Sequence, residues 1–191
     1  MFGKILKAAP SIHPTEMNKL YIFKTNAEKS ALSSTAYSLL NELLEKDFGI
    51  KNAKILKTNK GKPYLEGNDN IHFNISHTDG AVAIAFCNST VGVDIEHERP
   101  INPKIAGRHF CDDEMIVIEK SNNTNAELLK MWTRKEAYIK MSGEGLSSGL
   151  NTFNTLDEKI AKKIKTFETE GFYISVCSEK TCNFEIIIKT I

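Results

Sequence analysis

Between Ile71 and Glu96 the chain passes through three short runs, the first and third alternating apolar and polar residues and the middle one, 81–87, apolar throughout, separated by Thr78-Asp-Gly80 and Asn88-Ser-Thr90. A period of two, interrupted by turn-forming residues, fits strands and does not fit a helix. The pattern predicts strands over 71–76, 81–87 and 91–96, joined as a meander by ordinary turns. In the first run Ile71, Phe73 and Ile75 alternate with His72, Asn74 and Ser76; in the third, Val91, Val93 and Ile95 alternate with Gly92, Asp94 and Glu96. Each of these strands directs an apolar row at a core and a polar row to its opposite face.

The rest of the chain predicts what those strands pack against. Leu32, Ala36, Leu39, Leu40 and Leu43 recur at helical spacing within 30–48, and Gly49 supplies a stop. Strands are expected at 19–23 and 53–57. After Arg99-Pro100 helical patterning returns at 112–120 and 126–141, divided by the polar loop Ser121-Asn-Asn-Thr-Asn125, and strands resume at 160–167, 172–178 and 184–190. Helix followed by antiparallel strands thus occurs twice. The expectation is an α+β fold of two similar, pseudo-symmetric halves, 1–97 and 98–191, each a helix on a small antiparallel sheet, with the active site at the seam. A chain of 191 residues suffices for one good core or two small ones in close contact.

The polar row of 91–96 carries chemistry. Asp94 and Glu96 are two residues apart, roughly 6.5 to 7 Å along a strand, which lets both carboxylates reach one cation above it. In the helix at 126–141, Leu128, Trp132, Glu136 and Ile139 follow the spacing of one buried stripe, so a third carboxylate falls among apolar side chains. A buried carboxylate requires a partner. Lys140, one turn beyond, either pairs with Glu136 or faces a phosphate beside it. Gly143-Glu-Gly145 closes the helix. Strands ending in Asp-x-Glu are usually solvated edges, and Lys-Glu helices are usually salt-bridged surfaces; neither alternative places Glu136 on the apolar side. Lys62, within Gly61-Lys-Pro63, joins Ser76 and His77 as donors suited to anionic oxygens, a phosphate-binding cluster.

Gly-Lys-Pro at 61–63, Phe-Asn-Ile-Ser-His at 73–77, Gly-Val-Asp-Ile-Glu at 92–96 and Trp-Thr-Arg-Lys-Glu-Ala at 132–137, followed by Lys140, occur in that order. In these motifs the chain resembles the Sfp-type 4′-phosphopantetheinyl transferases. The resemblance implies a two-lobed, pseudo-symmetric fold and an enzyme that moves the phosphopantetheine arm of coenzyme A onto a serine of an apo acyl or peptidyl carrier protein, releasing adenosine 3′,5′-bisphosphate. It also implies Mg²⁺ held by Asp94, Glu96 and Glu136, with Glu136 additionally placed to take the serine proton. Lys62, Ser76 and His77 would hold the nucleotide end of coenzyme A, the backbone at Gly61 and Pro63 would lie near the adenine, and Lys135 and Lys140 would stand near the phosphates. One departure is that the first long helix begins at Glu28-Lys-Ser without the family's arginine, leaving Lys29 in its place.

Charge and cysteines narrow the class further. Lysine and arginine total 25 against 24 aspartates and glutamates, so no general attraction to nucleic acid or an anionic membrane is expected. Cys87, Cys111, Cys177 and Cys182 lack Cys-x-x-Cys spacing, which argues against zinc and for reduced thiols, with Cys177–Cys182 the one disulfide the spacing admits. No apolar run is long enough to span a bilayer, and a cytoplasmic monomer is expected. In the segment 101–118, Ile101, Ile105, Phe110, Met115 and Ile116, flanked by Lys104 and Arg108, read either as core or as an apolar ridge for an acidic carrier protein. The competing functions are a Mg²⁺-dependent phosphohydrolase using the same acids, and a coenzyme A- or carrier-binding module without chemistry.

Overall fold

The computed structural model describes residues 17–102, 107–145 and 149–191. Within them the order is β1 (Lys19–Lys24), α1 (Leu32–Phe48), β2 (Ile55–Lys57), β3 (Pro63–Leu65), β4 (His72–Thr78), β5 (Ala81–Cys87), β6 (Val91–His97), α2 (Asp112–Lys120), α3 (Thr124–Ser142), α4 (Glu158–Ala161), β7 (Ile164–Thr169), β8 (Phe172–Ser178) and β9 (Glu185–Thr190).

Strand β5 shows how the sequence sets the layers. Its large residues Val82, Ile84 and Phe86 join Tyr21, Phe23 and Phe73 under the leucine face of α1. Its small residues Ala81, Ala83, Ala85 and Cys87 join Leu20 and Ile22 against Val91, Val93, Ile95, Ile174 and Val176 of a second sheet. Both faces of β5 are buried along its whole length. The sheets are β4-β5-β1-β9 and β6-β8-β7, and α3 covers the outer face of the second through Ala137 and Met141 against Ile164 and Cys177. The α+β architecture is therefore four layers, helix, sheet, sheet, helix, and burying each large aliphatic residue contributes about 1.5–3 kcal/mol.

Several details depart from the sequence reading. The expected meander of β4, β5 and β6 breaks after two strands, because both edges of β5 are already occupied, by β4 and β1. Strand β6 passes to the second sheet and pairs with β8. Strand β9 makes the reverse crossing and lies parallel to β1, so the first sheet is mixed rather than antiparallel. Residues 158–161 form a helical turn where a strand was expected from 160, and β3, which pairs with β2, was not foreseen because Pro63 punctuates it. Cys177 faces α3 while Cys182 packs on the opposite side of that sheet, so the spacing-based pair does not form. All four cysteines are free, and burial pushes the Cys177 thiol up to about 12.

Helix ends follow local chemistry. Gly49 closes α1 in the left-handed conformation, φ 68°, and Gly143 closes α3 at φ 72°. The polar loop before α3 supplies its cap: the Asn123 side chain accepts from the Ala126 amide at 3.1 Å. Glu114 accepts from the Cys111 amide at 3.0 Å at the start of α2.

Candidate active site

The polar row of β4 stitches the two sheets together where no strand ladder joins them. Asn74 Oδ1 accepts from the Val93 amide at 2.9 Å, Ser76 Oγ donates to Asp94 Oδ1 at 2.8 Å, and the His97 amide donates to Thr78 Oγ1 at 3.3 Å. Alternation along β4 thus fixes β6 in register over its polar face. Helix α3 lies directly on that face at Gly92. A β-carbon there would stand 2.1 Å from the Ala137 carbonyl oxygen and 2.3 Å from the Met141 nitrogen. Glycine is what permits strand and helix backbones to touch.

This contact brings Lys140 to Asp94. Lys140 Nζ donates to Asp94 Oδ1 at 2.7 Å and to Ser76 Oγ at 3.0 Å. The ion pair that Lys140 makes is with the strand carboxylate of Asp94 rather than with Glu136. Asp94 Oδ2 is buried and has no hydrogen-bond partner among the described residues. Asp94, Glu96, Glu136, Ser76, His77, Trp132 and Lys140 line one cleft of about 330 Å³. Burial, and next the charge of Asp94, raise the pKa of both Glu96 and Glu136 above the ordinary glutamate value. Arg99 moderates Glu96 through an Nη2–Oε2 contact of 3.2 Å, and Lys140 moderates Glu136.

Those carboxylates do not form a preassembled metal cage: no group of three His, Cys, Asp or Glu side chains among the described residues is arranged to hold an ion. Asp94 and Glu96 point from one strand and Glu136 from the facing helix, and without a cation their like charges disfavour closer approach. The donor set nevertheless fits a hard divalent ion, since it offers oxygen ligands only, one of them buried and unpartnered.

A second groove of about 360 Å³ adjoins the cleft and shares Ile75, Glu136 and Lys140 with it. Its far wall is Lys60, Gly61, Lys62, Pro63, Gly143 and Gly145. The residues expected to hold coenzyme A do not gather at one wall. Lys62 lines the groove, but its ammonium donates to the Met141 carbonyl at 2.7 Å and the Val91 carbonyl at 3.1 Å, tying the loop before β3 to the end of α3 and the start of β6. Burial lowers its pKa to about 8. Ser76 and His77 line the acidic cleft, apart from Gly61 and Pro63, Ser76 through its hydrogen bond to Asp94 of β6. Lys135 is in neither cavity. It is fully buried, ion-paired with Glu114 at 2.7 Å, and donates to the Leu150 and Phe153 carbonyls at 2.7 and 2.6 Å. Five residues along a helix is roughly 140° of rotation, so Lys135 and Lys140 cannot face one cleft.

Glu114 in turn accepts from the Thr155 amide and hydroxyl at 2.8 and 2.7 Å. This buried ion pair is fully hydrogen-bonded and clamps α2, α3 and the 150–155 loop together. Sequence reasoning missed it, and it missed Asn74 and the close approach at Gly92; a glycine and an asparagine within otherwise regular strand alternations were the available signals. In the 101–118 segment, Phe110 and Ile118 are core, Ile101 and Met115 pack against them, and Ile116 is 46% exposed. Lys104 and Ile105 lie outside the described residues. His109 contacts Trp132 edge-on at 5.5 Å, which places this segment beside the acidic cleft.

Comparison with known proteins shows the family. Residues 90–185, which carry β6 and α3, match the 4′-phosphopantetheinyl transferase superfamily. The 4′-phosphopantetheinyl transferase gsp of Aneurinibacillus migulanus is 36% identical over 162 residues, covering 74% of this chain and 68% of that protein. The transferase ffp of Bacillus subtilis is 28% identical over 187 residues, 89% and 82% of the two chains, and Sfp of Bacillus subtilis strain 168 is 33% identical over 134 residues, 62% and 59%. No helix among the described residues is long and apolar enough to cross a membrane. The chain belongs to the 4′-phosphopantetheinyl transferase superfamily and is an enzyme of phosphopantetheinyl transfer.

Proposed function

We propose that the enzyme moves the 4′-phosphopantetheine arm of coenzyme A to a serine of an apo acyl or peptidyl carrier protein, in a Mg²⁺-dependent reaction that releases adenosine 3′,5′-bisphosphate. The observation that carries this reading is the juxtaposition of a cleft holding three carboxylates with a lysine- and glycine-walled groove, meeting at Glu136 and Lys140. Asp94, Glu96 and Glu136 would hold the Mg²⁺, which would supply charge neutralisation for the pyrophosphate. Glu136, its proton affinity raised by burial and by Asp94, accepts the serine proton directly or through water. Lys140, anchored on Asp94 and Ser76, assists the departing phosphate. The groove beside Gly61 and Pro63 takes the nucleotide, with Lys60 at its wall. The exposed Ile116 and Val117 of α2, with Arg108 nearby, suit an acidic, partly apolar carrier surface. The near-neutral charge balance and free thiols support a cytoplasmic enzyme, and we assign it as a monomer.

Incubation with coenzyme A, Mg²⁺ and a panel of apo carrier proteins, followed by weighing each carrier, tests the reading. A gain of one phosphopantetheine on at least one carrier, absent without Mg²⁺, is expected. Hydrolysis of coenzyme A with every carrier left unmodified would favour the phosphohydrolase instead.

A further inference from the structure

Cys87 and Cys182 are 95 residues apart in sequence, yet their sulfur atoms stand 3.6 Å from each other. Cys87 ends β5 and is fully buried, whereas Cys182 sits in the irregular connector between β8 and β9 and is partly exposed. The two segments already dock closely. The Glu179 amide donates to the Thr90 carbonyl at 2.9 Å, Thr90 Oγ1 donates to Glu179 at 3.2 Å, and the Lys180 amide donates to Ser89 Oγ at 3.5 Å. Neither thiol takes part in the chemistry assigned to the cleft, and Cys111 and Cys177 lie elsewhere in the fold.

We propose that Cys87 and Cys182 are an oxidative cross-linking site at which a peroxide closes a reversible disulfide between the β5–β6 turn and the β8–β9 connector. The accessible Cys182 thiolate attacks the peroxide, forming Cys182 sulfenic acid and releasing hydroxide, or an alcohol from an organic peroxide. The Cys87 thiol then displaces that hydroxyl as water, so two thiols are oxidised by two electrons and one peroxide is reduced. The sulfurs must close from 3.6 Å to about 2.05 Å. The connector residues 179–184 carry no regular ladder of their own, so the adjustment falls on Cys182 rather than on the buried strand. The link would close a loop of nearly half the chain, which removes much freedom from the unfolded protein. It would also anchor the turn that leads into β6, the strand of Asp94 and Glu96.

The full-length protein is treated with one equivalent of hydrogen peroxide, denatured, alkylated and digested. A single peptide pair joining Cys87 to Cys182, lighter by two hydrogens than its parts and reversed by dithiothreitol, is expected. The oxidised protein should melt roughly 10 °C higher than the reduced one. Cys182→Ser should abolish both the cross-link and the rise, and Cys87→Ala should do the same if the serine variant folds poorly. Oxidation that stops at Cys182 sulfinic acid, pairs Cys182 with Cys177, Cys111 or a second molecule, or leaves the melting temperature unchanged would overturn the proposal.

Discussion

Replacing Gly92 by alanine tests how β6 and α3 jointly build the cleft. The added methyl would begin 2.1 Å from the Ala137 carbonyl oxygen and 2.3 Å from the Met141 nitrogen, both backbone atoms that no rotamer change can move. Ordinary contact begins at 3.4 Å, so α3 must retreat by about 1.3 Å at that point. The helix is held from behind by the Lys135–Glu114 pair, so the strain has no free direction in which to relax. Overpacking of this kind costs about 1–3 kcal/mol, equivalent to a Tm fall of roughly 2–12 °C for a chain of this size. The effect on rate should be larger. Lys140 and Asp94, now 2.7 Å apart, would stand at about 4 Å, beyond hydrogen-bond reach. Lysine can follow part of that retreat, but the shorter Glu136 cannot, and a 1 Å misplacement can lower turnover by about 100-fold. Carrier mass gain over time measures the rate, and circular dichroism with a thermal melt measures the fold. Gly107→Ala, whose methyl would meet nothing within 4 Å, is the control and should be silent in both. A Gly92→Ala enzyme with wild-type turnover and Tm would refute the reasoning; a lower Tm at full turnover would restrict the contact to stability.

Four further outcomes are expected. Asp94→Ala and Glu136→Ala should keep the fold and lose several powers of ten in transfer, about 4 kcal/mol or more at roughly 1.4 kcal/mol per decade, and near-normal turnover of Asp94→Ala at saturating Mg²⁺ would remove it from metal binding. Lys135→Met strands the Glu114 carboxylate in the interior and should destabilise by about 3–5 kcal/mol with the KM for coenzyme A unchanged in whatever fraction folds; a raised KM at unchanged Tm would return Lys135 to the phosphates. The folded protein releases the Lys62 proton near 8, against about 10.5 unfolded, so between those values the unfolded chain binds more protons and the Lys62 contribution to stability rises with pH. The stability difference between wild type and Lys62→Met should therefore grow from pH 7.5 to 10 in urea titrations, and a flat difference would contradict the assigned burial. Arg108→Glu should raise the KM for the carrier and reduce its salt sensitivity while coenzyme A binding stays constant; a change in Tm alone would make that segment structural.

Most of the layering was legible because alternation and helical spacing are local signals. The segments 81–87 and 112–120 coincide with observed elements, and the Asp94, Glu96, Glu136 and Lys140 cluster was visible in its motifs. What the sequence could not convey was pairing over distance. Nothing within β6 says that its neighbour is β8 rather than β5; that depends on β1 having taken the other edge of β5. The lysines show the same limit. Lys62, Lys135 and Lys140 look equivalent as charges near motifs, yet one caps carbonyls at a helix end, one is an interior ion pair, and only Lys140 meets the strand carboxylate. A motif gives residue type and spacing, whereas a lysine's role depends on which acceptors lie within reach of its ammonium.

The crossing of β9 to the edge of β1 bears on how the molecule is completed during synthesis. As the chain leaves the ribosome, β1, β4 and β5 can assemble on α1 early, but the outer edge of β1 stays unpaired until Glu185–Thr190 have emerged. Until then it offers bare backbone donors and acceptors to other nascent chains. A ribosome stalled before β9 would release a product with α3 and the carboxylate strand β6 in place and one sheet still open. Quality control should recognise such a product by that edge, and a translational pause just before β9 should matter more to yield than one between β4 and β5.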